Sequence, residues 1–434
     1  RGAFRLNLSE KLKTFLSNRP EKSSNNKNSR LELHKSVSDV LGAIAVPTPF
    51  GEHFLVENTY PGSYMHGNMR LNLICNISGE IIKLIAKNSE YESFDFTRAV
   101  FIDTETTGLA GGSGTLAFLI GVGFFKGNDF KILQYFISDY DKEAAALYSL
   151  GKLLEEFESI VTFNGKSYDI PLLEARYMLS RMESPFKKNF HLDLLAAARR
   201  LYKERLESVS LSSLESNLLS LKRDGDIPGF EIPSVYFRFL KDKNPYPLKP
   251  IFYHNQMDIL SMVTLAISMA CTFENPLYSA ACENQDYYCL GRVFEDMGMI
   301  EDSIKCYEKA LYVQGVREKS YTQLSLLYKR LGMWQEAEKL WIAMVKSNIR
   351  PVFALVELAK YYEHKLKDYD RAAKAAQEAL ERAYKKNTLV GFALKEEILE
   401  LKKRLERIEG KQKKYETASR KDIFYPRQES LHIN

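Results

Sequence analysis

The run VFIDTETTGLAGGSGT, Val100 to Thr115, ends an apolar strand pattern on two carboxylates, Asp103 and Glu105, and then enters a glycine-rich loop. Successive side chains of a strand point to opposite faces, so residues two apart share a face. Asp103 and Glu105 therefore present two negative charges side by side, which is costly unless a cation lies between them. A divalent metal would meet that need, but a solvated strand end is the simpler alternative. Asp169, in VTFNGKSYDIPLL, sits where a strand pattern ends, Asn164–Gly165 turn and a helix begins. Alone it reads more readily as an N-cap ahead of Pro171. Asp258, in IFYHNQMDILSMVTLAISMA, interrupts an apolar helix, with His254 one turn earlier on the same face. Alone, those two make a structural hydrogen-bonded pair. Together, four carboxylates and an ionisable ring match phosphodiester hydrolysis, in which two divalent cations about 3.5–4 Å apart activate water and steady the leaving oxygen. Hard cations take oxygen ligands, and a nearby group of tunable pKa deprotonates the water.

Those residues need elements to carry them. Three strand patterns follow one another, Val100–Glu105, Leu116–Phe125 and Phe130–Ser138, and the turn-rich separators GLAGGSG and KGND predict an antiparallel meander. A helical pattern over Lys142–Phe157 comes next, then a strand in SIVTFNG, a helix from about Ile170, a strand in FHLDLL and a helix in AAARRLYKE. This β-β-β-α-β-α-β-α order predicts a mixed sheet flanked by helices over 96–274. Asp193 of FHLDLL is acidic and near the sheet, and is expected to support the site rather than to act in it. Residues 41–95, with short alternating apolar runs such as GEIIKLIA, are expected as a small β-rich lead-in packed on that domain. Residues 1–40, with NRPEKSSNNKNSR, are too polar to bury a core and are expected as a flexible basic arm. Ile232–Pro250 interleaves Tyr236, Phe237 and Tyr246 with Arg238, Lys241, Lys243 and Lys249. That pattern suits unpaired bases and phosphates, or a surface loop whose aromatics enter the core. Arg199, Arg200 and Lys203 extend such a basic surface or form a solvated helix face.

From about Asn275 the chain reads as helical. LGRVF, LSLLY and LAKYY begin at Leu290, Leu324 and Leu358, a period of 324 − 290 = 358 − 324 = 34 residues. A small residue (Gly291, Ser325, Ala359) and an aromatic (Phe294, Tyr328, Tyr362) recur at matching places, and Gly298/Gly332 and Tyr307/Trp341 keep the same spacing. A helix–turn–helix unit of this length and pattern is the tetratricopeptide signature. Three repeats over 275–410 with a charged last helix, about Val390–Glu409, predict a minimal solenoid, followed by a tail over 411–434.

With 434 residues, 45% of them hydrophobic, the chain can bury two or three cores. A formal charge of +5 permits a nucleic-acid partner without requiring one. Five cysteines (Cys75, Cys271, Cys282, Cys289, Cys306) form no C-x-x-C pair, which speaks against a zinc site and for reduced, buried thiols. Leu116–Phe125 is about half the length of a membrane helix. No signal-peptide pattern is visible, and a soluble cytoplasmic protein with no membrane partner is expected.

The joint set DTETTGLAGGSGT, FNGKSYDIPLLEAR, HLDLL, GDIPGFEIPSVY and YHNQMDILSM, spread over roughly 41–409, resembles the YprB-like branch of the DEDD exonucleases. That family pairs a ribonuclease H-like α/β domain with C-terminal tetratricopeptide repeats. The resemblance implies metal-dependent 3′-to-5′ removal of nucleotides, with DNA as the preferred substrate, two magnesium or manganese ions as cofactors, and a DNA helicase in repair as a partner. Position by position, it makes Asp103, Glu105, Asp169 and Asp258 the metal ligands, and Thr106, Thr107, Leu109 and Asn164 the contacts to substrate. The last motif is a hybrid. Histidine-type members place the base where this chain has Tyr253, and tyrosine-type members place it where this chain has His254. His254 is the expected base, because an imidazole near neutrality suits water activation better than a phenol near 10, with Tyr253 as runner-up and substrate contact. Three rival readings stand beside this one: an RNA exonuclease, a structure-specific endonuclease, and a non-catalytic adaptor whose repeats recruit a partner. Crowded acidic residues speak against the adaptor.

Overall fold

A computed structural model describes residues 35–108, 114–276, 283–390 and 395–424. A short helix α1 (Val37–Leu41), closed by a Ser36 capping box, leads into strands β1 (Ile44–Thr48) and β2 (Gly51–Pro61). Helix α2 (Gly79–Ala86) follows, then β3 (Ala99–Thr106), β4 (Ala117–Lys126) and β5 (Asp129–Phe136). The chain continues through α3 (Glu143–Leu154), β6 (Ser159–Thr162), α4 (Asp169–Leu179), β7 (Phe190–Asp193), α5 (Leu194–Tyr202), α6 (Leu211–Leu218), α7 (Ile232–Asp242) and the long α8 (Lys249–Glu274).

These seven strands form one mixed sheet in the order β1-β2-β5-β4-β3-β6-β7, and Met65–His66 and Met69–Arg70 pair as a separate small hairpin. Pairing from β1 through β3 is antiparallel, whereas β3–β6 and β6–β7 are parallel. The expected lead-in therefore contributes two strands to the same sheet. GEIIKLIA, expected as part of a β-rich segment, is the helix α2 instead. Its apolar residues recur at helical spacing (Ile81, Ile82, Leu84, Ile85), which buries one face on the core, and Glu80 in the first turn suits the helix dipole.

Alternation along β3 sends Ala99 and Phe101 into one apolar layer and Val100 and Ile102 into the other. The first layer is closed by α2, α5 and α8, and the second by α3, α4 and α7. Helix α8 lies against the sheet because Gly121 and Gly123 of β4 leave room for it. A Cβ at either would collide with Asn255 or Ile259 of α8. Helix α8 is long and apolar enough to span a membrane, yet 83% of its most apolar stretch is buried within the fold.

Beyond it the described residues are helical: α9 (Asp286–Asp296), α10 (Ile300–Ala310), α11 (Arg317–Arg330), α12 (Trp334–Lys346), α13 (Pro351–Tyr361), α14 (Tyr369–Val390) and α15 (Lys395–Phe424). Leu290, Leu324 and Leu358 are all buried, and Gly291 leaves space for the Tyr307 ring, which a Cβ would approach to 2.7 Å. Gly298 and Gly332 hold left-handed turns at φ +77° and +74°. The last helix runs through Phe424, into the stretch expected as a tail. This array is joined to the sheet by Leu290, Val293 and Phe294 within the α8 layer, and by ion pairs Arg205–Glu283 (2.7 Å) and Lys319–Glu204 (2.6 Å).

Candidate active site

The end of β3 carries Asp103 and Glu105 out of the core on the face toward α8. Thr104 leaves on the opposite face and donates to Asp169 Oδ1 at 2.5 Å, which fixes that carboxylate beside the strand. Asp169 is the first residue of α4, and its side chain is engaged by Thr104 instead of capping its own helix. Asn255, fully buried on α8, donates to Asp103 Oδ2 (2.8 Å) and to its backbone oxygen (3.2 Å). Gln134 of β5 completes this arrangement by donating to Asn255 Oδ1 at 2.9 Å and to Phe252 O at 2.8 Å. One turn beyond Asn255 on α8, Asp258 joins the group.

Electrostatics tie the four carboxylates together. Burial raises the Asp103 pKa well above the usual carboxylate range, and the charges of Asp258 and Asp169 push it further. Glu105 is raised well above its range by burial and then by Asp103, Asp258 and Asp169. Asp169 is pushed up to about 6, chiefly by burial, with the Thr104 hydrogen bond working against the shift. Groups that repel one another in this way call for a cation.

Asp258 differs from the other three because it already has a cation partner. Arg223 donates to Asp258 Oδ1 at 2.5 Å, to Glu215 through two nitrogens (Nε at 2.9 Å), and to Asp226 Oδ2 at 3.2 Å. Burial opposes its charge, yet Asp258 and Glu215 outweigh that penalty and raise its pKa. Glu215 is 2% exposed and also accepts from Ser261 Oγ. That hydroxyl has spent its proton, so the His66 Nε2 lying 2.8 Å from it donates, and His66 is neutral, with burial lowering its pKa to about 4. His254 Nδ1 lies 2.8 Å from Asp226 Oδ1, and its Nε2 faces Asp258 Oδ2 at 3.7 Å.

The remaining expected residues fall in different places. Thr106 and Tyr168 both donate to Gly108 O, at 3.0 and 2.5 Å, and Thr107 exchanges two 2.9 Å bonds with Leu116, so these threonines shape the loop entrance. Leu109 lies outside the described residues. Asn164 is exposed, in a left-handed turn at φ 69°. Asp193 accepts from the backbone N–H groups of Asn164 (2.9 Å), Lys166 (3.1 Å) and Leu195 (3.1 Å), the supporting part expected of it. Tyr253 is half-buried and packs on the α8 layer. Of the aromatic-basic segment, Tyr236 is core, stacked on Phe118 at 4.0 Å, while Phe237 and Tyr246 are exposed. Arg223, Asp226 and Asn255 were not anticipated. Asn255 had a signal, a polar side chain one turn before Asp258 on an apolar helix, and Asp226 lies within the motif GDIPGFEIPSVY without a role assigned to it, whereas Arg223 lies in a loop without periodicity.

An all-oxygen set of carboxylates suits hard divalent cations. Among the described residues no three acidic, His or Cys side chains converge on one point closely enough to hold a metal ion as they stand.

Residues 100–270 match the RNase H superfamily. The uncharacterized protein YprB of Bacillus subtilis (strain 168) is 33% identical to this chain over 340 residues, which cover 75% of this chain and 79% of YprB.

Proposed function

The chain belongs to the YprB family and carries an RNase H superfamily domain of nuclease type, and from that premise we propose that it is a DEDD-type 3′-to-5′ exonuclease acting on DNA. The observation that supports the reading is the crowding of Asp103 and Glu105 with Asp169 and Asp258, whose charges add to burial in raising the Asp103 and Glu105 pKa values. Asp103, Glu105, Asp169 and Asp258 would hold two magnesium or manganese ions, whose chemistry is to activate water and to stabilise the leaving oxygen. His254 takes the proton from the attacking water. Asp226 at Nδ1 fixes the ring's orientation and supports the positive charge it gains, which leaves Nε2 on the side of Asp258. Tyr253, packed on the core, is the less suitable base. The helical array, with its 34-residue period, is read as tetratricopeptide repeats that recruit a protein partner. A DNA helicase acting in repair is the partner the family resemblance implies.

The test is digestion of 5′- and 3′-labelled DNA and RNA oligonucleotides with magnesium or manganese. A ladder shortened from the 3′ end, absent in Asp103→Ala and about 10²–10⁴-fold slower in His254→Ala, is the expected result. Cutting that ignores a blocked 3′ end would replace the exonuclease with an endonuclease. Retained activity in His254→Ala would move the base to Tyr253.

A further inference from the structure

A second polar recess, of about 280 Å³, opens where β6 and β7 end, between the Asn164–Ser167 turn and α5. Its floor is built by Asp193, whose two oxygens are taken up by the backbone N–H groups of Asn164, Lys166 and Leu195. Those oxygens are occupied in holding the turn, and the carboxylate's charge is set against those of Lys166, Arg199 and Arg200 in the same lining. Arg200, in the wall, is likewise committed, donating to Ile85 O at 2.5 Å. What remains facing solvent is Lys166 and Arg199, both exposed and neither with an acidic partner among the described residues. Exposed Asn164 and Ser167 line the same recess. Two unpaired cations with neutral hydrogen-bonding groups in a concave site recognise an anion, and the size suits a phosphate with part of its sugar.

Its place relative to the carboxylates narrows the ligand. β3, β6 and β7 run parallel, so Asp103, Glu105 and the recess all lie at the same edge of the sheet. With neighbouring strands about 4.8 Å apart, the end of β7 is roughly 10 Å from the end of β3. Lys166 precedes the candidate ligand Asp169 by one helical turn's worth of chain.

We propose that the Lys166–Arg199 recess binds a backbone phosphate of the strand being degraded, one or two phosphates in from the scissile bond. This rests on the exonuclease reading for its orientation but not for its chemistry. Bound there, the strand is anchored behind the terminal nucleotide while its end lies among the carboxylates.

The experiment is fluorescence anisotropy with a 10-nucleotide and a 2-nucleotide single-stranded DNA in EDTA, comparing the full chain with its Lys166→Gln/Arg199→Gln double variant and with Lys166→Arg. The double variant is expected to bind the longer strand about tenfold more weakly, to lose about 0.7 from the slope of log affinity against log salt (~0.7 per phosphate), and to bind the shorter strand like the wild type. Lys166→Arg is expected to keep wild-type affinity. Affinity and salt slope unchanged in the double variant, or an equal loss on both strand lengths, would overturn the assignment. If the wild type binds as expected yet fails to shorten the same strand with manganese, the exonuclease reading falls and the recess stands.

Discussion

The two walls of the acidic cleft treat charge in opposite ways. On the sheet side, Asp103 and Asp169 accept from the neutral donors Asn255 and Thr104, and neither they nor Glu105 form an ion pair among the described residues. On the α8 side, Asp258 is bound to Arg223, which also binds Glu215 and Asp226, and Asp226 in turn holds His254. One wall is left electrostatically unsatisfied, and the other is a finished network. The difference separates two tasks. In the proposed exonuclease a divalent cation would relieve the crowding on the sheet wall, whereas the helix wall holds His254 and Asp258 in register through Asp226 and Arg223.

The largest test of that contrast is Asp103→Asn. It is expected to cut nuclease activity by at least about 10³-fold, because several kcal/mol of charge stabilisation depend on the ligand set. The same change should raise the melting temperature in EDTA and abolish the upward shift that manganese gives the wild type. A variant that melts earlier in EDTA would show that the sheet wall is not under repulsion. On the other wall the sign reverses. Arg223→Met leaves Glu215 and Asp258 buried without a cation and is expected to cost about 3–5 kcal/mol of stability by urea denaturation. Adding Glu215→Gln should recover part of that loss.

Asp226→Asn probes the base without touching the ligands. A fall of roughly 10–100-fold is expected, comparable to other losses of a supporting carboxylate. The rising limb of the pH–rate profile should also move, which mere loosening of the loop would not cause. The smallest effect belongs to Asp169. Its folded pKa, about 6, lies above its unfolded value of 3.8, so its proton stabilises the metal-free fold below pH 4 and that contribution is lost as pH rises through 6. Asp169→Asn in EDTA should therefore melt a few degrees above the wild type at pH 7.5, with the gap closing near pH 4. His66 and His191, both lowered to about 4, act in the other direction and destabilise wild type and variant alike as pH falls below 6.5.

Much of the sheet wall is legible in the chain itself. Period-two alternation places Asp103 and Glu105 on one face, and the SIVTFNG-to-helix junction places Asp169 beside them. The helix wall is legible only along α8, where four-residue spacing brings His254 to Asp258. Arg223 and Asp226 escape because their partners lie 35 and 28 residues away across an irregular loop, and no local period connects them. GEIIKLIA misleads for another reason: eight residues with two adjacent apolar pairs fit either period, and the core beneath α2 decides. Tyr236 shows the same limit, since an aromatic beside basic residues is equally a stacking platform or, as here, a core side chain whose hydroxyl donates to Ile137 O at 2.8 Å.

Asn255 meets Asp103 across 152 residues of chain, and this separation has a cost during synthesis. At roughly 5–20 residues per second, the ribosome leaves the acidic strand without its α8 partner for about 8–30 s. Through that interval β3, β4 and β5 can already pair, but the layer that α8 closes stays open to solvent. The nascent chain thus carries a half-covered apolar sheet whose exposed end is negatively charged. Like charges on neighbouring polysomal chains discourage those sheets from joining edge to edge or face to face. The carboxylates that await a cation in the finished protein would then serve earlier as a guard against aggregation.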